Sequence, residues 1–295
     1  MDIRLANILG YLLGDGWISV GINSKGSKYY VSGFGGDIED LELIKKDLIN
    51  YGDIGSAKIH TYNTSSEKYG IKGVSNYFIC TKKITELFIN KGMPIGKRVE
   101  QSFDIPESIL NGSVEIKRAF ISGLYSAEGS VPTFQKNDIT PKAFSLCMTK
   151  RYYLKDDMVR FTEQLVKILN DIGIDVSVRY TKTFTCEKNI KAIITIKNTS
   201  KNILNFINNI DCRYCYRKRS AFNNLKDYII LKENFINKKQ KAYEEYLECN
   251  DAEYISKKYD FSTSTIRKWK HRKPNNSVGN NFISFNDFLK QRGPL

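Results

Sequence analysis

Apolar and small residues recur with helical spacing in two segments of the chain, and each segment ends in an acid followed by glycine. Residues 2–13 lead into Gly14-Asp15-Gly16, and residues 115–126 lead into Ala127-Glu128-Gly129. The spacing predicts a helix over each segment. Because a domain-sized interval separates two such similar stretches, the pattern predicts an internal duplication with one carboxylate in each copy.

Small residues lie four positions apart on one face of each predicted helix, at Gly10 and Gly14 in the first and at Gly123 and Ala127 in the second. Glycine inside a helix costs about 1 kcal/mol relative to alanine, so its repeated use needs a structural reason. Small side chains allow helix axes to approach closer than the usual ~8–10 Å. We therefore expect the two helices to pack backbone against backbone along an internal pseudo-twofold axis.

The segments after the two helices repeat one order of strand-like and helix-like patterns. The matched pairs, first copy before second, are strand-like 28–34 and 143–148, helix-like 38–50 and 151–170, β-rich 56–80 and 174–197, and helix-like 87–90 and 204–208. Each copy is predicted to run α-β-β-α-β-β-α. The expected fold class is α+β, with pseudo-symmetric halves at 1–111 and 112–236 and a small all-α module at 237–295.

Asp15 and Glu128 each follow the C-terminal end of a predicted helix, where the helix dipole disfavours a carboxylate by ~0.3–1 kcal/mol. Close packing of the helices would also bring the two negative charges together. A bound divalent cation offsets both costs, and carboxylate and carbonyl oxygens are the ligands that Mg²⁺ prefers. The candidate metal ligands are Asp15, Glu128 and the main-chain carbonyls of Gly14 and Ala127, with Mg²⁺ or Mn²⁺ as the cofactor.

The paired motifs resemble the LAGLIDADG signature of homing endonucleases, in the single-chain form that carries two motifs. Residues 120–131 (FISGLYSAEGSV) give the closer match, whereas the first copy departs by having Gly14 before the acid. The resemblance covers about residues 1–230. It implies two halves that form a DNA-binding β saddle, a monomer, and a long asymmetric double-stranded DNA target of the kind used in intron homing. It also implies metal-dependent hydrolysis of both strands across the minor groove, leaving short 3′ overhangs.

The resemblance further implies a basic residue from each copy that supports the attacking water or the developing charge. Lys97 and Lys218 are the candidates for this catalytic role, because each belongs to a basic cluster at a matching point of its copy. Lys82 and Lys197 are the second choice. Positioning of a DNA phosphate is the alternative role for all of these lysines.

An excess of positive charge agrees with a polyanionic partner. The chain has 46 lysines and arginines against 32 acidic residues, which gives a formal net charge of +14. Pairs of β-strands can enter the major groove and read base edges there. The candidate DNA-contacting residues in the strand regions, for each of which a solvated strand face is the alternative, are Lys25, Lys28, Tyr29, Lys58, Lys68, Lys72, Gln135, Lys136, Lys142, Arg179, Lys182 and Lys191.

The tail from about residue 237 predicts two short helices joined by a turn at residues 260–262. A small core is expected from Ile255, Tyr259, Phe261, Ile266 and Trp269. The pattern resembles a helix-turn-helix, whose second helix enters the major groove, and a non-binding helical cap is the alternative. The candidate DNA contacts at the start of the second helix are Ser262, Thr263, Ser264, Arg267 and Lys268.

Cysteine usage and hydropathy limit the other classes of protein. One Cys-x-x-Cys pair, Cys212 and Cys215, with only two histidines in the chain does not favour a four-ligand zinc site. The chain has no apolar run of about 18 residues and no signal peptide, so neither a membrane protein nor a secreted one is expected. We expect an intracellular location, cytoplasmic or organellar.

Two other functions stay open from the sequence. A non-cleaving DNA-binding regulator could use the same fold, although it would not need the two motif acids. An RNA maturase could bind intron RNA on the same basic surface without a metal. An intein is disfavoured, because the chain opens with Met1 and closes with residues 292–295 without a terminal Cys or Ser nucleophile or a His-Asn pair.

Overall fold

The fold of the chain is α+β, as the sequence predicts. The computed structural model describes residues 1–55, 57–66, 71–135, 139–183, 188–274, 278 and 282–292. Two compact units are present: the first comprises Met1–Thr133 and Lys142–Phe222, and the second comprises Phe134–Pro141 and Asn223–Leu295. The first unit holds both motif acids. The predicted three-part division at 111/112 and 236/237 stays a prediction.

The first half of unit 1 follows the order α-β-β-α-β-β-α that the sequence predicts. Its elements are α1 (Ile3–Asp15), β1 (Gly16–Ile22), β2 (Lys28–Gly36), α2 (Ile38–Leu48), β3 (His60–Ser66), β4 (Ile71–Ile79) and α3 (Lys82–Asn90). The strands form an antiparallel sheet in the order β1-β2-β4-β3. Helix α1 begins where the Asp2 side chain accepts a hydrogen bond from the Leu5 N–H, which is a stabilising N-cap.

The second half begins after a short helix, α4 (Glu107–Leu110), and its described residues contain one strand fewer than predicted. Its elements are α5 (Val114–Glu128), β5 (Ser145–Arg151), α6 (Lys155–Asp171), β6 (Val176–Thr183), β7 (Asn189–Ile196) and α7 (Ser200–Asn209), with strand order β5-β7-β6. Between α5 and β5, isolated bridges from Gly129 to Leu146 and from Phe134 to Pro141 take the place of the expected strand in the described residues. Pro132 and Pro141 fall in this segment, and proline cannot donate a hydrogen bond to a strand ladder.

Each sheet of unit 1 buries one face and leaves the other open. In the first sheet Ile18, Phe34 and Phe78 are fully buried, and the rings of Phe34 and Phe78 stack with their centroids 5.4 Å apart. In the second sheet the buried side includes Leu146 and Ile194, and α6 packs against β5 and β7. Because side chains alternate along a strand, the remaining positions define the open face of each sheet.

A buried charge cluster ties the end of the second half to the first. Asp47 of α2 is 1% exposed and accepts hydrogen bonds from the Arg213 Nε at 2.7 Å and the Tyr214 hydroxyl at 2.9 Å. Arg4 of α1 donates to the same carboxylate at 3.0 Å. Since a buried carboxylate needs such partners, the cluster fixes the chain segment that continues to Lys218.

Unit 2 contains the two short helices and the turn that the sequence predicts for the tail. Helix α8 (Tyr216–Cys249) runs through the division between the units, and α9 (Ala252–Tyr259), α10 (Thr263–Trp269) and α11 (Phe285–Arg292) follow. Ile255, Ile266 and Trp269 are buried together, with Tyr259 and Phe261 packed against them, so the predicted small core is confirmed.

The turn between α9 and α10 has the backbone geometry that a helix-turn-helix needs. Asp260 adopts the left-handed conformation with φ of 55°, which aspartate tolerates better than most residues. The Ser262 hydroxyl then accepts a hydrogen bond from the Thr265 N–H and caps α10.

Of the helices that the structure describes, none is both long and apolar enough to cross a membrane.

Candidate active site

Helices α1 and α5 cross at glycines and contact each other through their main chains. A Cβ atom at Gly10 would overlap the carbonyl oxygen of Phe120, and one at Gly123 would overlap the carbonyl oxygen of Asn7. Side chains larger than hydrogen therefore cannot be placed at this crossing. The close approach predicted from the small residues is confirmed.

The crossing brings the two predicted acids to the same end of the helix pair. Gly14 lies against the end of α5, where an added Cβ atom would be 3.1 Å from the Glu128 Cγ. Asp15, the next residue, is partly exposed, and Glu128 is half-buried. Both carboxylates therefore remain accessible to an ion or to a phosphate.

Arg98 binds the C-terminal end of α1. Its Nη1 donates to the carbonyl oxygens of Leu12, at 2.8 Å, and Leu13, and its Nη2 donates to that of Gly14 at 2.5 Å. These are carbonyls that a helix end leaves without partners within the helix. A cation at this end is also favoured by the helix dipole.

Lys218 performs the same role at the end of α5. Its Nζ donates to the carbonyl oxygens of Tyr125, Ser126 and Ala127 at 3.1, 2.6 and 2.9 Å. The Lys218 side chain is buried, which holds the ammonium group against the helix end. The site thus contains two acids and two basic residues in matched positions.

The structure does not bring Lys97 to this site. Its side chain is 76% exposed and lies 3.4 Å from Glu100. Arg98, its neighbour in the same basic cluster, occupies the position that matches Lys218. The sequence located the cluster, but the short 3₁₀ turn at Arg98–Glu100 decides which side chain faces α1. The second-choice Lys82 and Lys197 are both exposed.

Burial raises the pKa of both acids, and the charge of Asp15 adds to the rise at Glu128. The surrounding protein desolvates the Asp15 carboxylate and raises its pKa, although Lys218 and Arg98 act in the opposite direction. Desolvation also raises the pKa of Glu128, and the charge of Asp15 raises it further. The ionised pair is therefore unfavourable in the folded protein, and a cation would relieve that cost.

The donor set fits a Mg²⁺ site that takes part of its ligands from outside the protein. Within the described ranges, no three His, Cys, Asp or Glu side chains come together as a metal cluster. Mg²⁺ commonly binds one or two carboxylates and takes its other ligands from phosphates and water. The Gly14 and Ala127 carbonyls each accept a hydrogen bond from a basic side chain, so their predicted part in metal binding requires their second lone pair.

The raised pKa values predict a pH-dependent loss of stability. In the absence of divalent cations, the free energy of unfolding of the wild type should fall with rising pH relative to that of an Asp15→Asn/Glu128→Gln variant. In the unfolded state Asp15 and Glu128 lose their protons near their ordinary pKa values of 3.8 and 4.5, whereas in the folded state they keep them to higher pH. The free energy of unfolding therefore falls as the pH rises from these ordinary values to the raised folded-state pKa values. Urea unfolding in EDTA from about pH 4 to 8 measures the difference.

Glu115, at the opposite end of α5, provides a control of opposite sign. Its pKa is lowered, first by a hydrogen bond with Ser113, so the wild type should gain stability with rising pH relative to Glu115→Gln. The free energies of unfolding of the wild type and of the Asp15→Asn/Glu128→Gln variant should therefore differ by an amount that changes with pH. A constant difference over this pH range would contradict the desolvation of the two acids.

Most of the predicted DNA-contacting residues are exposed. In unit 1 these are Lys25, Lys28, Tyr29, Lys58, Lys142, Arg179 and Lys182, and in unit 2 they are Gln135, Ser262, Ser264, Arg267 and Lys268, with Thr263 half-buried. Arg267 also pairs with Glu253 of α9 at 2.5 Å. Lys68, Lys136 and the side chain of Lys72 lie outside the described residues.

Lys191 lies closer to the acids than the sequence suggested. It is half-buried on β7, and its charge lowers the pKa of Glu128. A cleft of about 850 Å³ opens beside Asp15 and Lys218 and extends over the first sheet to Tyr77. The acids are thus connected to the open face of that sheet.

The chain is similar to segments of three curated archaeal proteins with different names, and no family model matches it. It is 27% identical to the tRNA-splicing ligase RtcB of Pyrococcus furiosus, over 98% of this chain and 30% of that protein. The Replication factor C small subunit of Methanocaldococcus jannaschii is 28% identical, over 97% of this chain and 15% of its own length. The DNA-directed RNA polymerase subunit Rpo1N of the same organism is 28% identical, over 79% and 17%. The chain therefore spans less than a third of each of these relatives.

Among solved structures, the chain is similar to two nucleases with DNA. I-DmoI in complex with its target DNA gives a TM-score of 0.44 at 17% identity, over 70% of this chain and 94% of that chain. The LAGLIDADG meganuclease I-AabMI bound to uncleaved DNA gives a TM-score of 0.44 at 11% identity, over 78% and 91%. I-DmoI complexes with DNA have been solved with Mn and with Ca.

Proposed function

We propose that this chain is a site-specific DNA endonuclease of the homing type that hydrolyses both strands with the help of divalent cations. The observation that carries the proposal is the pair of carboxylates, Asp15 and Glu128, at the abutting ends of α1 and α5, with the half-buried Arg98 and the buried Lys218 bound to the same helix ends. One chain supplies both acids, so it would act as a monomer on an asymmetric DNA site. A DNA target also implies an intracellular location, cytoplasmic or organellar.

The two acids can serve two strands because they lie close together. The minor groove is only about 6 Å wide, so the phosphates on its two sides can approach neighbouring carboxylates. Asp15 and Glu128 would hold Mg²⁺ or Mn²⁺, which supplies an activated water and Lewis-acid stabilisation of the leaving 3′ oxygen. Their ionised forms are needed for this, so activity should rise with pH through their raised pKa values.

Arg98 and Lys218 would hold the site together and place positive charge beside it. Both bind the helix ends that carry the acids. Their positive charges also offset part of the rise in the pKa of each acid. A cation beside the scissile phosphate stabilises the negative charge that develops there. For the first copy we propose Arg98 in this role in place of Lys97.

The curated relatives support an activity of the matching segment that is separate from the activities after which these proteins are named. A tRNA-splicing ligase, a replication factor subunit and an RNA polymerase subunit share a segment that resembles this chain and makes up a minor part of each. A segment common to three such proteins does not explain any one of the three names. We therefore propose an endonuclease that can be carried within longer proteins, which counts against the earlier expectation that an intein context is disfavoured.

Cleavage of a randomised duplex library with Mg²⁺, followed by sequencing of the cut ends, tests the proposed function. We expect cuts at one family of related sequences, with short 3′ overhangs and no cleavage in EDTA. Specific binding without cleavage would identify a DNA-binding regulator instead. Preferential binding of structured RNA over duplex DNA would identify a maturase.

The helix-turn-helix of unit 2 is proposed to add DNA contacts through the start of α10. Arg267→Ala and Lys268→Ala should each weaken binding and reduce the slope of log affinity against log salt by about 0.9, as expected for one lost phosphate contact. Filter binding at several salt concentrations measures this slope. The cut positions should not move, because the acids belong to unit 1.

Lys46→Ala is the matched control for these variants, because Lys46 is an equally exposed lysine in the last turn of α2. Its removal should leave the salt slope unchanged. Equal slopes for the wild type and both α10 variants would mean that the helix-turn-helix is a structural cap.

A further inference from the structure

The open faces of the two sheets in unit 1 differ in their chemistry. In the first sheet, the strand pairing puts Trp17, Tyr29, His60, Tyr62 and Tyr77 on the face opposite Phe34 and Phe78. Among the positions of this face whose side chains the structure describes, none is a lysine or an arginine. Lys28 of β2 lies in the opposite register.

Aromatic rings cover the open face of the first sheet. The rings of Trp17 and Tyr77 have their centroids 6.0 Å apart, and Tyr77 contacts Tyr62 at 5.6 Å and stacks on His60 at 5.2 Å. The row therefore crosses from β1 to β3, over the strands between them. The row begins two residues after Asp15, and its residues Trp17, Tyr62 and Tyr77 line the same cleft as that acid.

Glycines allow two of these rings to lie flat on the sheet. A Cβ atom at Gly33 would overlap the Trp17 ring, and one at Gly21 would overlap the Tyr29 ring. The rings thus occupy the space that side chains would fill on the paired strand. The result is a largely aromatic surface, on which Tyr62 is 50% exposed.

The open face of the second sheet carries positive charge instead. The pairing puts Arg151, Arg179 and Lys191 on this face. Arg179 is exposed, and Lys191 is half-buried near Glu128. Arg151 pairs with Glu100 at 3.0 Å, so part of its charge is used within the protein.

We propose that the two sheets select different bases: the first sheet reads A·T pairs through thymine methyl groups, and the second reads guanines through Arg179 and Lys191. Apolar side chains contact the thymine methyl group in the major groove, whereas arginine and lysine donate to the O6 and N7 acceptors of guanine. The aromatic row offers the first kind of contact and contains no lysine or arginine. This inference rests on the proposed DNA endonuclease function and assigns the base composition of its two half-sites.

Selection of bound duplexes from a randomised library by the full-length wild type in EDTA tests the inference. We expect an asymmetric consensus, with guanines on one side of the centre and A·T pairs on the other. Arg179→Ala should reduce the preference for guanine on the guanine-containing side by about tenfold, the size expected for one lost base contact. The preference on the A·T side should stay unchanged. Tyr62→Ala should relax the A·T side only, and Tyr62→Arg should add a guanine preference there.

Two residues outside these open faces provide matched controls. Lys167 is an exposed lysine of α6, the helix that packs against the buried side of the second sheet, and Tyr30 is a tyrosine of β2 with 43% exposure in the opposite register of the first sheet. Neither Lys167→Ala nor Tyr30→Ala should alter the consensus. An enriched consensus of the same composition on both sides, or equal effects of Arg179→Ala and Lys167→Ala, would overturn the inference alone. Failure to enrich any duplex would overturn the proposed DNA-binding function as well.

Discussion

Asp15→Asn and Glu128→Gln should each abolish double-strand cleavage while leaving DNA affinity nearly intact. Each substitution keeps the shape of the side chain and removes the charge that would hold a cation at the ends of α1 and α5. Loss of one such electrostatic contribution commonly slows an enzyme by about 10²–10³-fold. Binding should persist because a carboxylate repels DNA phosphates unless a cation lies between them.

Conversion of a supercoiled plasmid that carries the selected site measures this loss, since nicked and linear products are resolved separately. Asp37→Asn is the matched control. Asp37 is an exposed acid that lines the same cleft as Asp15 but lies at the start of α2 and not at the ends of α1 and α5. It should cleave like the wild type. Robust linear product from the Asp15→Asn/Glu128→Gln double variant would falsify the assignment of catalysis to these acids.

Gly123→Ala should destabilise the protein by about 3 kcal/mol or more, at the upper end of the usual cost of overpacking. The added methyl group would overlap the main-chain carbonyl of Asn7, which cannot rotate out of the way as a side chain could. Gly10→Ala meets the carbonyl of Phe120 in the same manner. Helices α1 and α5 would have to separate, and this would also move Asp15 away from Glu128.

Urea unfolding at fixed pH gives the free energy of unfolding for each glycine variant. Gly35→Ala is the control, because a Cβ there would make an ordinary contact at 3.5 Å with the Asp15 carbonyl oxygen. It should change the free energy of unfolding by less than about 1 kcal/mol, as most exposed substitutions do. A Gly123→Ala variant as stable as Gly35→Ala would contradict the observed main-chain contact between α1 and α5.

The sequence alone was sufficient for the features that depend on local patterns. Small residues four positions apart predicted the crossing of α1 and α5, because only hydrogen side chains permit such an approach. The acid after each motif located the candidate site, and the spacing of Ile255, Ile266 and Trp269 predicted the small helical core in unit 2. These signals lie within one or two helical turns, so no distant partner is needed to read them.

Only the tertiary structure decided which side chains meet across distant segments. Lys97 and Arg98 are neighbours in sequence, but the 3₁₀ turn directs Arg98 to the carbonyls of α1 and leaves Lys97 in solvent. The faces of the sheets were likewise undecided, because a shift of one residue in strand pairing moves every side chain to the other face. Pairing with β7 puts Arg179 on the open face and Lys182 on the other, and the residue types alone do not distinguish them.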